Sequence, residues 1–314
     1  MATNTTVNSN YAGKEVGIFR RTFKEADTLR LGLLSFYDNI NFKLNMRLLE
    51  STDGTTDYAC IADGGFSTAA AGDLTLSERV LEPVKVMNLK QFCKEDFRKQ
   101  WSGDSMGASA SNPNMPSDIQ EAILANELDQ TAERTDEKIW TGDSANNGEW
   151  DGLVTLWEND ANIIKANNGI TPIGAAIDES NVLSELKKAL SAIPVKKRRA
   201  DLTVAVSPDV FQAYLFMLGS KGILNDGSTE PKQARFLKYN VTEVNGLPDN
   251  TIAIFDKRNV AFGTGLLADH TAIEIVDEDD INLLTGQIRM KMVYSAGVQY
   301  AYANEIVYYK STTV

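Results

Sequence analysis

The chain is 314 residues long and acidic, with 43 Asp and Glu against 31 Lys and Arg, a net charge of -12 and a pI near 4.7. That balance argues against reading duplex nucleic acid through a basic surface, though a local basic face could still make weak contact. Two cysteines (Cys60, Cys93) without a Cys/His cluster speak against a disulfide framework or a zinc site, and no apolar run approaches the ~20 residues of a membrane span.

Residues 1–15 are rich in Asn, Thr and Ser and are expected to form a polar arm without a signal-peptide pattern, as in a cytosolic product. From Phe19 to Tyr37 a helical or mixed segment is expected. Phe42 to Leu48 alternates apolar and polar residues, the mark of a half-buried strand. A long excursion of small residues follows, and Val80 to Phe92 resembles the returning strand of an extended hairpin.

After a second loop at 101–116, the run from Asp118 to about Trp140 predicts one helix of roughly 35 Å. Ser117 and Gln120 form a capping-box pattern. Leu124, Leu128, Ala132, Thr135 and Ile139 recur at steps of three and four and are expected to be its buried stripe. Trp140-Thr141-Gly142-Asp143 closes the helix, and a short strand-like stretch is expected after Leu153, then a turn at Ala166-Asn167-Asn168-Gly169.

A second helix has Asp178 or Ser180 as its cap and Val182, Leu183, Leu186, Leu190 and Ile193 as its apolar face. Leu202–Val206 is a buried strand. A third helix starts at Pro208, with Phe211, Leu215 and Leu218 inward and Gly219 as its stop. Strands are expected at 240–244, 251–255 and 272–276. The tail alternates Ile288, Met290, Met292 and Tyr294 against Arg289 and Lys291, breaks at Gly297, and ends in a Tyr/Val-rich strand to Tyr309. The irregular mixture, without a βαβ repeat, makes the class α+β.

Candidate chemistry is sparse. His270, the single histidine, follows Asp269, but strand neighbours point to opposite faces, so an exposed loop residue is the better reading than a general base. Asp143 to Gly148 faintly resembles a calcium loop but has Ala145 at position three and Val154 at position twelve, so a polar turn is preferred. Asp277-Glu278-Asp279-Asp280 reads as a solvated acidic loop and Gly263-Thr264-Gly265 as a turn. Lys196, Lys197, Arg198 and Arg199 could touch DNA or a neighbouring subunit weakly, but complementing the end of the second helix is favoured. Of the four tryptophans, Trp140, Trp150 and Trp157 bracket the end of the long helix, which favours packing there over base stacking. No catalytic, cofactor-binding or metal site is assigned.

The order of arm, hairpin, long helix, mixed α/β region and alternating tail, with Asp136-Glu137-Lys138-Ile139-Trp140-Thr141-Gly142-Asp143 leading to Gly152-Leu153-Val154, resembles major capsid proteins of tailed double-stranded DNA phages of the Hong Kong 97 type. The tail from Ile288 through Gln299 and Asn245-Gly246-Leu247-Pro248 are similar to the same family. The resemblance implies an N-terminal arm at 1–38, an extended loop at 39–95, and a peripheral domain at 96–172 with a spine helix at 117–141. An axial domain at 173–285 and terminal strands at 286–314 returning to the peripheral sheet complete the division.

It further implies a non-enzymatic protein that assembles into hexameric and pentameric capsomers of an icosahedral virion shell around double-stranded DNA, formed in the host cytoplasm. Phe42, Leu44, Met46, Tyr58, Phe66, Leu74 and Val84 are then expected at contacts between subunits, with Leu124, Leu128, Ile139 and Trp140 packing the spine helix. Residues 44 to 84 contain no lysine, so a covalent cross-link through the loop is not expected. The short arm implies a separate scaffolding protein, beside a portal and decoration proteins. An encapsulin-like compartment and a soluble enzyme with His270 as its first candidate are the alternatives.

Overall fold

The computed structural model describes residues 27–53, 72–93, 117–166, 168–198, 201–221, 233–266, 269, 272–278 and 285–311. A short helix α1 (Asp27–Arg30) leads into β1 (Ser35–Tyr37). β2 (Leu44–Ser51) and β3 (Leu74–Leu81) pair antiparallel over their whole length, from Leu44 opposite Leu81 to Ser51 opposite Leu74. β4 (Val84–Cys93) precedes the long helix α2 (Ser117–Thr141), and a second, short helix α3 (Leu153–Asn159) follows it. The two-residue strands β5 (Lys165–Ala166) and β6 (Gly169–Ile170) flank the expected turn.

The next segment holds α4 (Val182–Ala192), β7 (Thr203–Val206), α5 (Pro208–Ser220), β8 (Gln233–Phe236), β9 (Tyr239–Glu243) and β10 (Thr251–Phe255). The chain ends with β11 (Val260–Thr264), β12 (Ile273–Asp277), β13 (Gln287–Tyr300) and β14 (Val307–Lys310). Among the described residues no helix is long and apolar enough to cross a membrane.

Two five-stranded sheets organise these elements. In the first, β13 is the axis: β4 pairs with it along one side, and β12 and then β11 pair along the other, with β1 parallel to β11. In the second the order is β14-β10-β7-β9-β8. Both of its faces are buried. Ala205, Ala253, Phe255 and Tyr308 face the tryptophan cluster, while Val204, Val206, Ile252, Ile254, Val307 and Tyr309 face α4 and α5. A strand covered on both sides needs apolar residues at every position, hence the unbroken Thr251-Ile-Ala-Ile-Phe255.

The expected tryptophan corner is present. Trp140 and Trp157 are fully buried and meet edge to face with centroids 6.0 Å apart, and Phe255 stacks obliquely on both. Gly142 and Gly152 make the corner possible. The Gly152 N–H donates to the Gly142 carbonyl at 2.9 Å, and a Cβ on Gly152 would stand 2.5 Å from the Trp140 carbonyl oxygen. Only hydrogen fits between backbones this close.

The structure corrects several expectations. The hairpin returns at Leu74–Leu81, not Val80–Phe92; after Glu82-Pro83, β4 enters the first sheet, so Val84 stands opposite Ala296 in the body and the 39–95 range ends too late for the hairpin. The stretch after Leu153 is helical: Leu153, Val154 and Trp157 are buried at helical spacing, and the Thr155 hydroxyl donates to the Gly142 carbonyl at 2.7 Å. Gly263 and Thr264 belong to a fully buried strand, where a Cβ on Gly263 would meet Ile40 and Leu81 at 2.7 Å. β13 passes Gly297 without a break, and Gly297 lets Glu82 and Pro83 approach. The last strand joins β10 in the second sheet instead of returning to the first. In α5, Gly219 lies inside the helix, and Leu215 is exposed while Tyr214 and Met217 turn inward.

The long helix has the expected length, but its buried face is rotated. Ile123 packs with Phe92 on Ile288, Glu127 accepts a hydrogen bond from Lys90 at 2.6 Å, and Thr131 accepts one from Asn88 at 3.5 Å. Four residues of helix rise ~6 Å and two of strand ~6.8 Å, so these rungs stay in step. Buried Glu127 and Thr131 displace Leu128, which is half-buried like Leu124, and Ala132, which is exposed. Thr135, Ile139 and Trp140 are buried as expected. The expected caps at Ser117 and Gln120 lie outside the described side chains. Ile139→Ala should therefore cost about 2–5 kcal/mol in denaturant unfolding of the subunit. Leu128→Ala should cost roughly 1 kcal/mol; equal costs would contradict the rotated face.

Candidate intersubunit contact surface

Period-two alternation separates the two faces of the β2–β3 hairpin. One face carries Leu44, Met46 and Leu48 with Arg79 and Leu81. Near the base it packs on Ile40 and Ala261, where Leu81 is fully buried. The other face carries Leu49, Leu74, Leu76 and Val80. Leu49 lies directly opposite Leu76, and these two and Leu74 are 57%, 74% and 62% exposed. Three large aliphatic side chains grouped on one face of the ribbon are thus exposed among the described residues, the kind of apolar patch that marks an interaction surface.

Side chains hold the ribbon at a defined angle. The Tyr302 hydroxyl sits 3.1 Å from both the N–H and the carbonyl of Leu49, accepting from the first and donating to the second. Gln299 donates to the Val80 carbonyl at 3.0 Å. Arg79 donates to Asp160 at 2.8 Å and lies over the Tyr300 ring, while the Tyr300 hydroxyl donates to the same carboxylate oxygen at 2.7 Å. A groove of about 640 Å³, lined in part by Glu50, Arg79, Tyr302 and Asn304, runs beneath the ribbon.

Burial works against the charge on Asp160, but hydrogen bonds from Tyr300, Arg79 and the Asn162 N–H outweigh it and hold its pKa at about 2. Burial, reinforced by Asp160, pushes the Tyr300 phenol up to about 12. A depressed carboxylate pKa contributes stability that is complete above the unfolded value near ~3.9 and is lost as pH falls through the folded value. Proteolysis at the hairpin base should therefore accelerate between pH 4 and pH 2. Asp160→Asn should already be fast at pH 5 and show little further change. A wild-type rate flat across this window would rule out the anchoring role.

Of the residues expected at contacts, Leu74 lies on the exposed leucine face and Phe42 is 69% exposed just before β2, with the Lys43 ammonium 5.0 Å from its ring centroid. Leu44 and Met46 are half-buried at the base. Val84 lies in the body sheet, 42% exposed. Tyr58 and Phe66 lie outside the described residues. Sequence reading missed Leu49 and Leu76, although their alternation with polar neighbours is visible once the return strand is placed at 74–81.

Several of the other candidates have structural partners. Arg198 donates to the carbonyls of Ser191 and Ile193 at the end of α4, the favoured capping role, and Lys197 pairs with Glu305 at 3.3 Å and bonds Asn304; Lys196 follows the exposed Val195, and Arg199 lies outside the described residues. Asp143 accepts from the Ala145 N–H at 2.9 Å, as a turn residue does. Glu278 departs from the solvated loop expected for it: it is buried, bonded to Arg289 and Thr285. His270, Asp279 and Asp280 lie outside the described residues.

No family model matches the chain, and no curated protein sequence does. Solved structures do match, along nearly its full length. The capsid of a native GTA particle is 13% identical with a TM-score of 0.64, covering 96% of this chain and 95% of that one. The capsid of Myoviridae phage XM1 is 12% identical with a TM-score of 0.60, over 95% and 96%. The capsid of cyanophage A-1(L) is 12% identical with a TM-score of 0.57, over 97% and 98%. The chain has the mixed α+β fold of these capsid subunits.

Proposed function

We propose that the protein is the major capsid subunit of a tailed double-stranded DNA phage, a structural protein whose function is to bind copies of itself into a closed shell. The observation that carries this reading is the hairpin: an anchored ribbon with unpartnered leucines on one face, on a fold shared with capsid chains from end to end. A ribbon so exposed reaches stability only by covering a neighbour. Repeated head-to-tail contacts of this kind close into rings, here hexameric and pentameric capsomers of an icosahedral shell. The division into arm, extended hairpin, peripheral unit with α2 and axial unit around the second sheet belongs to the same proposal.

Further partners follow from the reading: a separate scaffolding protein, a portal, decoration proteins and genomic DNA. A net charge of -12 suits a wall that holds DNA without gripping it. Residence in the virion after assembly in the host cytoplasm completes it. Negative-stain electron microscopy of the purified protein, alone and with its scaffold, is the test. Uniform hollow particles are expected, and a discrete small species under every condition would overturn the reading. Particles filled with an enzyme instead of a genome would indicate the compartment alternative.

A further inference from the structure

The side of α2 that faces β4 carries a pocket separate from the hairpin and its groove. Arg134 and Lys138 lie four residues apart on the helix, so their side chains share one stripe. With Val86 of β4 and the loop residues Asn147 and Trp150 they line, in part, a cavity of about 80 Å³. A carboxylate group or a few waters would fill that volume. Val86 and Trp150 are buried and make one wall apolar, while Arg134 and Asn147 are exposed at the rim.

Its polar groups are mostly donors. Trp150 is 2% exposed, and its indole N–H is buried without a hydrogen-bond partner, which costs stability unless an acceptor is supplied. Trp140 shows the ordinary solution: its indole N–H donates to the Thr28 hydroxyl at 2.7 Å. The Trp157 N–H is also unpartnered, but that ring is enclosed by Trp140, Phe255 and Tyr308. The cations on this seam differ in the same way. Lys90 pairs with Glu127 at 2.6 Å and Lys138 with Glu149 at 2.7 Å, whereas Arg134 has no carboxylate partner among the described residues. Glu149 is already engaged, since it also accepts from the Asp143 N–H and the Asn146 amide.

We infer that this pocket binds a carboxylate group, which accepts from the Trp150 indole N–H and pairs with the Arg134 guanidinium, its alkyl stem lying along Val86. With Lys138 neutralised by Glu149, the pocket offers one net positive charge, which a carboxylate matches. A phosphate dianion would bring a surplus charge against the apolar wall. The carboxylate belongs either to a small free acid or to an Asp or Glu side chain of another polypeptide, and the two sources are separable.

Solid-state NMR of the full-length protein, labelled with 15N-tryptophan and sedimented, tests the inference. The four tryptophans give four indole N–H resonances, and Trp150→Phe identifies the one from Trp150. Sodium acetate, exchanged for sodium chloride at constant ionic strength, should move that resonance downfield and leave the other three in place. Arg134→Gln, at an exposed position, should keep the parent melting temperature and weaken acetate binding about tenfold. A capped Gly-Glu-Gly peptide, compared with Gly-Gln-Gly, separates the sources. A shift with the Glu peptide assigns the pocket to a protein side chain, and a shift with acetate alone assigns it to a free acid. A Trp150 resonance that ignores both acetate and peptide, answers phosphate as strongly, or responds equally in Arg134→Gln would overturn the inference. None of these readouts depends on particle formation, so the shell reading is tested separately.

Discussion

Replacing residues 53–72 by Asn-Gly is expected to give a subunit that folds and melts like the parent but forms no closed shells. Among the described residues the last rung of the ladder is Thr52 with Asp73, where the Thr52 N–H donates to the Asp73 carbonyl at 2.9 Å and the Asp73 N–H to the Thr52 hydroxyl at 2.7 Å. A two-residue Asn-Gly loop closes such an antiparallel pair without altering its register. The anchoring contacts at Leu49, Arg79 and Val80 and the residues named in the two buried cores are all outside the replaced range. Calorimetry should find the melting temperature unchanged within a few degrees, and electron microscopy should find shell yield reduced at least tenfold. Shells of normal size and number would show that the hairpin end plays no part in assembly.

The largest effect on the subunit itself is expected from Gly152→Ala, a loss of about 3–5 kcal/mol, in the range that marks a disrupted core. A Cβ there would stand 2.5 Å from the Trp140 carbonyl oxygen and 2.6 Å from the Gly142 nitrogen, both backbone atoms that no rotamer change can move aside. Relief requires separating α3 from the end of α2, which opens the Trp140–Trp157–Phe255 cluster. Gly219→Ala provides the opposite control: it is helical, has no atom within 4 Å of the added methyl, and should stabilise by roughly 0.5–1 kcal/mol. Urea unfolding of both variants separates the effects, and a loss below ~1 kcal/mol for Gly152→Ala would refute the close-crossing account.

The candidate surface was only partly legible in the sequence. Alternation from Phe42 to Leu48 marks the outgoing strand, and Leu74, expected at a contact between subunits, opens the return strand of the hairpin. Its partners Leu49 and Leu76 were not found, because the return strand was expected at Val80–Phe92. Leu74–Leu81 and Val84–Cys93 are both strand-forming, and only the pairing of Leu49 with Leu76 and of Met87 with Val293 assigns each to its own sheet. Anchoring by Asp160, Tyr300 and Tyr302 joins positions up to 253 residues apart, and no local pattern announces it.

By itself, the sequence determined the features that depend on near neighbours. These are the long helix at 117–141, the alternation from Ile288 to Tyr294, the all-apolar strand at 251–255, the Arg198 cap and the packed tryptophan corner. Each follows from a period, a cap or a local cluster of apolar bulk. Only the tertiary structure decided which surface each element buries. The helix turns Glu127 and Thr131 inward instead of Leu128 and Ala132 because Lys90 and Asn88 face it from β4. Residues 153–159 are helical, which buries Leu153, Val154 and Trp157 together and sets Trp157 against Trp140 and Phe255. Burial and hydrogen-bond satisfaction are properties of the partner opposite, and that partner lies far away along the chain.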